Sequence, residues 1–269
     1  MMERRLSMIP VKHATFLNKI SNMLKTDDRI VGLAVGGSYI TQDMDTYSDI
    51  DLVVAVDPLL YDQVMASRMT IVGRCGRLLS AFTGEHVGEP RLMIALYQEE
   101  NALFHVDYKF VSADQLGNRI ENPVVIWARN HCFTDVLNEA VCDFPMPSYQ
   151  WIEDRFWIWV HYAALKIGRG EFFETIEFIS FLRQTVIGPL LQIENGYLPK
   201  GVRKIEFNMP EIIPELKKTI ASHDAAACVK AMESIIDLYL MLRDSLFGPE
   251  INRKTDAEKA VCQYLQSMR

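Results

Sequence analysis

Two stretches decide how the first half of this chain is read: Ile30-Val31-Gly32-Leu33-Ala34-Val35-Gly36-Gly37-Ser38 and, ten residues further on, Asp49-Ile50-Asp51-Leu52-Val53-Val54-Ala55-Val56. Residues 30–35 are a short, nearly all-apolar run, which predicts a strand buried on both faces. Gly36-Gly37-Ser38 ends it. Residues 49–56 predict a second strand, stopped by Pro58, with helix following to about residue 80. Alternate side chains of a strand share a face. Asp49 and Asp51 are therefore expected on one face, their Cα atoms roughly 6.5–7 Å apart, with Ile50 and Leu52 turned to the core. Two carboxylates so placed can converge on a hard, oxygen-preferring cation such as Mg²⁺. Without one they would repel each other beside a buried strand.

Working outward, residues 11–25 carry Phe16, Ile20 and Leu24 at helical spacing and predict an amphipathic helix. Residues 91–97 and 103–111 predict two strands, with Gln98-Glu99-Glu100-Asn101 as the turn of a hairpin. Asp107 sits in the second, its apolar neighbours Val106, Tyr108 and Phe110 on the opposite face. If that strand lies beside 49–56, Asp107 completes a set of three carboxylates. Lys109 shares its face and is expected to pair with it. Gly36 and Gly37 permit unusual dihedrals and close backbone approach. Their amides, Ser38 Oγ and the start of any following helix are candidates to hold phosphate oxygens. Taken together, these parts suit nucleotidyl transfer, in which metal ions bridge a triphosphate to the carboxylates, an acceptor hydroxyl attacks in line and pyrophosphate leaves.

Composition changes near residue 145. Phe144-Pro145-Met146-Pro147-Ser148 reads as a linker, and beyond it helical periodicity dominates over 151–167, 171–194, 211–221, 224–247 and 255–267. The expected fold is an α/β domain with a mixed sheet over 1–145, followed by an all-α helical bundle over 146–269. Apolar residues at 49% and charged residues at 23% favour packed cores over disorder. A net charge of -7 argues against nucleic acid as the main partner. The five cysteines are odd in number, scattered and without a CxxC, so buried free thiols are expected rather than disulfides or zinc. No apolar run approaches the roughly 18 residues of a membrane span. MMERRLSMIP lacks the apolar region of a signal peptide. A soluble cytoplasmic protein is therefore expected. There is no GxxxxGK[ST] and no HExxH, and Gly36-Gly37-Ser38-Tyr39-Ile40 lacks the last glycine of GxSxG.

The glycine pair with serine, the ten-residue spacing and Ser48-Asp49-Ile50-Asp51-Leu52 resemble the DNA polymerase β-like nucleotidyltransferase superfamily. In the second half, Phe156-Trp157-Ile158-Trp159-Val160-His161-Tyr162-Ala163-Ala164-Leu165-Lys166 with Arg169-Gly170-Glu171 looks like the helical domain of antibiotic nucleotidyltransferases, of the aminoglycoside 6-adenylyltransferase or lincosamide nucleotidyltransferase type. The resemblance implies transfer of AMP from ATP to a hydroxyl of a small molecule, with ATP and acceptor bound between the domains. It implies Asp49, Asp51 and Asp107 as metal ligands, Gly36, Gly37 and Ser38 as nucleotide contacts, and Lys166 as a triphosphate contact. It also admits a homodimer. Read on its own, Lys166 is equally a favourable charge near a helix C-terminus.

Asp107 is a general-base candidate if it does not bind metal tightly; Glu85, Glu89, Glu153 and Glu171 are others, each more simply read as a solvated surface carboxylate. Trp151, Phe156, Trp157, Trp159 and Tyr162 read mainly as core, with room for one or two in a ligand cleft. His105, His131 and His161 have no ligand-spaced partner and read as structural or surface residues. Three rivals to the small-molecule reading stand beside it: an AMP-transferase acting on protein, a non-catalytic nucleotide-binding module, and an RNA-directed transferase.

Overall fold

Apolar residues every three or four positions fold Val11–Leu24 into α1, which buries Phe16, Leu17, Ile20 and Leu24. The computed structural model describes residues 9–268. It continues with β1 (Ile30–Val35), a single helical turn α2 (Ser38–Thr41), β2 (Ile50–Val56), α3 (Tyr61–Gly73), β3 (Leu78–Gly84), β4 (Glu89–Glu99), β5 (Ala102–Ser112), β6 (Val124–Ala128) and α4 (Cys132–Glu139). The N-terminal stretch read above for a signal peptide lies, over residues 1–8, outside the described residues.

The strands form one mixed sheet in the order β3-β4-β5-β2-β1-β6. β2 and β5 run parallel, and the other neighbouring pairs are antiparallel. Period-two alternation gives the sheet two distinct faces. One carries Ile50, Leu52, Val54, Val106, Tyr108 and Phe110 into a core shared with α1 and α3. The other carries Ala34, Ala55 and Val111 against Phe133 of α4 and Leu116. Asp51 and Asp107 belong to this second face.

Two expectations change. The helix after Pro58 ends at Gly73, and residues 78–84 are a strand, β3. β3 is an edge strand whose Leu79 and Phe82 stay exposed; its place is set by pairing with β4 rather than by a buried apolar face. The strand β6 and the helix α4 were also not expected.

The chain divides into two compact units between Phe144 and Pro145. The second is all helical: α5 (Tyr149–Gly168), α6 (Phe172–Leu182), a π-helical turn (Arg183–Ile187), α7 (Gly188–Glu194), α8 (Ile205–Asn208), α9 (Ile213–Lys218), α10 (Ala225–Leu246) and α11 (Thr255–Gln266). Ser148 caps α5 by accepting from the Trp151 amide, and Asp224 caps α10 by accepting from that of Ala227. Phe156 stacks on Tyr239 with ring centroids 3.6 Å apart at the centre of this unit. Glu153 is fully buried there. It accepts from the Lys254 amide at 2.8 Å and faces the Arg243 guanidinium at 3.6 Å. Among the described residues no helix is long and apolar enough to cross a membrane, and all five cysteines are free thiols.

Candidate active site

The parallel register of β2 and β5 sets Asp51 directly beside Asp107. Neighbouring strands lie about 4.8 Å apart, so the two side chains leave the same face as close neighbours. Asp49 stands one residue ahead of β2, outside the regular strand. Its approach is fixed by the turn before it. Asp45 accepts from the Tyr47 amide at 2.9 Å and from Ser48 Oγ at 3.0 Å. The buried His13 of α1 donates from Nε2 to the Ser48 carbonyl at 3.0 Å. The amide of Tyr47, then Ser48, hold the Asp45 carboxyl below its usual range. His13 was not singled out in the sequence, where it is one polar residue on an amphipathic helix.

Burial pushes the Asp107 carboxyl above its ordinary range, and repulsion from Asp49 adds to this. The His105 ring, 3.0 Å away through Nε2, opposes both. His105 is thus not isolated: it sits two residues from Asp107 on the same strand face, a spacing legible in the sequence. Among the described residues no three His, Cys, Asp or Glu side chains are drawn together tightly enough to hold an ion as they stand. The arrangement is a register pair with a third carboxylate just upstream. A divalent cation fits this donor set, since it would offset both the burial of Asp107 and the like-charge repulsion.

The glycine turn presses on Asp51. The Gly36 amide donates to the Asp51 carbonyl at 2.8 Å. Gly37 has φ 56° and ψ −137°, and a Cβ there would lie 2.0 Å from Asp51 Oδ2. Only glycine fits beside that carboxylate. Ser38 Oγ is buried without a hydrogen-bond partner among the described residues. An orphaned buried hydroxyl costs about 1–3 kcal/mol, and here it lies beside amides suited to an anion. The helix that follows is one turn long, so the phosphate contacts expected from a helix start reduce to local donors. The Gly37 amide already has an acceptor, Glu121 Oε1 at 2.9 Å. Glu121 lies on the segment before β6 and is joined to the turn only by the tertiary fold; no local pattern marked it.

Gly36, Asp51, Asp107 and Glu121 share the rim of a cavity of about 260 Å³ within this unit. Its walls include Val53, Val111, Leu116 and Phe133, and its polar edge Glu89, Lys109 and Arg119. Lys109 does not pair with Asp107. Its ammonium lies 3.0 Å from Glu89, at the start of β4, three residues before Leu92, which stands opposite Lys109. Glu89 also takes a two-pronged contact from Arg91, at 2.7 and 2.6 Å. Arg91, with Lys109 behind it, pulls the Glu89 carboxyl down to about 2. Glu85 is held low by Thr83, and Glu171 by Lys166 and Arg169. Glu153 is not a solvated surface carboxylate but buried in the helical unit. Lys166, also in that unit, contacts Glu171 at 2.8 Å and Glu174 at 3.0 Å, which raise its pKa.

Residues 17–112 match the family model described as "Nucleotidyltransferase domain". No curated protein sequence matches the chain. Among solved structures, an aminoglycoside 6-adenyltransferase from Bacillus subtilis is 13% identical, with 93% of this chain and 96% of that one covered and a TM-score of 0.40. A nucleotidyltransferase-like protein from Exiguobacterium sibiricum is 12% identical, covering 92% and 86%, with a TM-score of 0.34. At that distance neither speaks to substrate. The glycine turn and the paired carboxylates fall within residues 17–112, and this part of the chain is a nucleotidyltransferase domain.

Proposed function

We propose that the protein transfers AMP from ATP to a hydroxyl of a small molecule, an aminoglycoside or lincosamide antibiotic. The observation that carries the reading is the register pair Asp51–Asp107 with the Gly37 backbone against the Asp51 carboxylate. Asp49, Asp51 and Asp107 are the residues that would hold Mg²⁺. When bound, the ion neutralises triphosphate charge and stabilises the oxygens that enter and leave phosphorus. The Gly36–Gly37 backbone and Ser38 Oγ orient the phosphates. Asp107 takes the acceptor's proton when it is not itself held tightly by the ion, whereas Glu85, Glu89 and Glu171 are held too acidic for that step. His105, bonded to Asp107 Oδ1 and half exposed, gives that proton a route to solvent. Lys166 is the candidate cation for the triphosphate from the helical unit, and Glu171 and Glu174 keep it protonated. A net charge of -7 is compatible with a cationic acceptor.

The test is pyrophosphate release from Mg·ATP across a panel of aminoglycosides and lincosamides, run beside labelled ATP in cell lysate. Release with one drug class is the expected result. Label appearing only on protein would overturn the small-molecule acceptor in favour of a protein-directed AMP-transferase. Asp49→Ala should abolish release. If it left Mg·ATP binding and all activity unchanged, the carboxylates would not be the metal site.

A further inference from the structure

The Gly37 amide is the donor that the glycine turn offers to an anion, and in this structure a carboxylate of the chain itself accepts from it. Glu121 Oε1 lies 2.9 Å from that nitrogen, and a Cβ on Gly36 would come within 2.9 Å of the same oxygen. The carboxylate therefore sits flush on both glycines. The neighbouring Ser38 Oγ is buried with no hydrogen-bond partner among the described residues. An internal anion thus already stands on one donor of the turn. A phosphate oxygen and the Glu121 carboxylate cannot both occupy the position in front of one N–H, and two anions in contact repel.

Glu121 has a second position in the molecule. It, Arg119 and Ile120 also form one wall of the cavity that opens beside Asp51 and Asp107. The segment is anchored one step away. The Arg119 carbonyl accepts from the Asp143 amide at 3.0 Å, the Arg119 guanidinium reaches the Ala140 carbonyl, and its Nε donates to Asn122 Oδ1 at 2.7 Å. Glu121 thus sits between Arg119 and Asn122, which are tied to each other, and its displacement is a local movement while the base of the segment stays in place.

Building on the nucleotidyl-transfer reading, we propose that Glu121 is the resident anion of the glycine turn, displaced by the phosphates of the incoming nucleotide. Its departure reshapes the wall of the adjoining cavity. Occupancy of the turn and the shape of the cavity are therefore coupled through this one side chain. Glu121 is a positioning residue: it acts through the Gly37 amide and the cavity wall, not on the reacting atoms.

The experiment is calorimetric titration of the full chain with magnesium pyrophosphate and with a non-hydrolysable Mg·ATP analogue, in wild type, Glu121→Gln, Glu121→Ala and Asp51→Asn. Removing a competing charge-assisted hydrogen bond should tighten pyrophosphate binding about 3- to 10-fold in Glu121→Ala and somewhat less in Glu121→Gln. In unmodified protein, hydrogen exchange over residues 120–122 should accelerate when magnesium pyrophosphate is added, which needs no variant to fold. Unchanged or weaker binding in both Glu121 variants, or slower exchange over 120–122, would overturn the proposal. If wild type and Asp51→Asn both bind the analogue equally or not at all, the nucleotidyl-transfer reading of the site falls, and this proposal with it. If binding depends on Asp51 but not on Glu121, only the displacement is wrong.

Discussion

Asp107 and Glu89 line one cavity from adjacent strands, and the chain holds their protons with opposite strength. Asp107 is buried beside another carboxylate, which favours its neutral form. Glu89 faces two cations, which favour its charged form. The difference sorts their roles. Asp107→Asn should cut nucleotidyl transfer roughly 10³-fold, equivalent to about 4 kcal/mol of transition-state stabilisation, while leaving the fold intact; retained turnover would remove Asp107 from the reaction. Glu89→Gln should act on stability. A carboxyl held near 2 in the fold, against an ordinary 4.5, contributes stability present above pH 4.5 and lost as pH falls toward 2. Because its side chain is about a quarter exposed, the contribution at neutral pH is taken as about 1 kcal/mol. Urea midpoints of Glu89→Gln and wild type should differ at pH 7 and converge as the pH is lowered below 4.5. A gap that persisted unchanged at pH 3 would refute the ion-pair account.

At the scale of elements, the β1–β2 unit holds the glycine turn and Asp51, and shows why so much of the candidate site could be read directly. Gly37→Ala places a methyl 2.0 Å from Asp51 Oδ2 at a positive φ. It should cost about 1–3 kcal/mol of stability and abolish activity, whereas Gly36→Ala, whose one tight contact is the end of the Glu121 side chain, should be milder. Denaturation midpoints and pyrophosphate release measure both; equal effects would contradict the geometry. The glycines, Asp49 and Asp51 are legible because they are set by local periodicity and turn chemistry. Asp107 is legible because its strand alternates cleanly. β3 is not, since an exposed edge strand buries too little to print a period on the sequence. The Lys109–Glu89 pair and the Glu121–Gly37 bond join distant positions, and no single-strand pattern encodes them. His13 is masked by its place on an ordinary amphipathic helix.

For the molecule as a whole, the buried residues form separate clusters in the α/β unit and in the helical unit. Arg243 is the cation facing fully buried Glu153 and also meets Glu258 at 2.7 Å. Arg243→Met leaves an unpaired buried carboxylate and should cost about 3–5 kcal/mol. Hydrogen exchange should then quicken in α5 and α10 and stay slow in β2 and β5; uniform loss of protection would mean that the two cores melt as one. The bond from the Gly36 amide to the Asp51 carbonyl has a wider consequence. It ties the glycine turn to the strand that carries Asp51, so a shift in either backbone is felt by the other. The cavity walls at Leu116 and Phe133 come from elsewhere in the chain, and a substitution there changes the shape of the cavity without touching that bond.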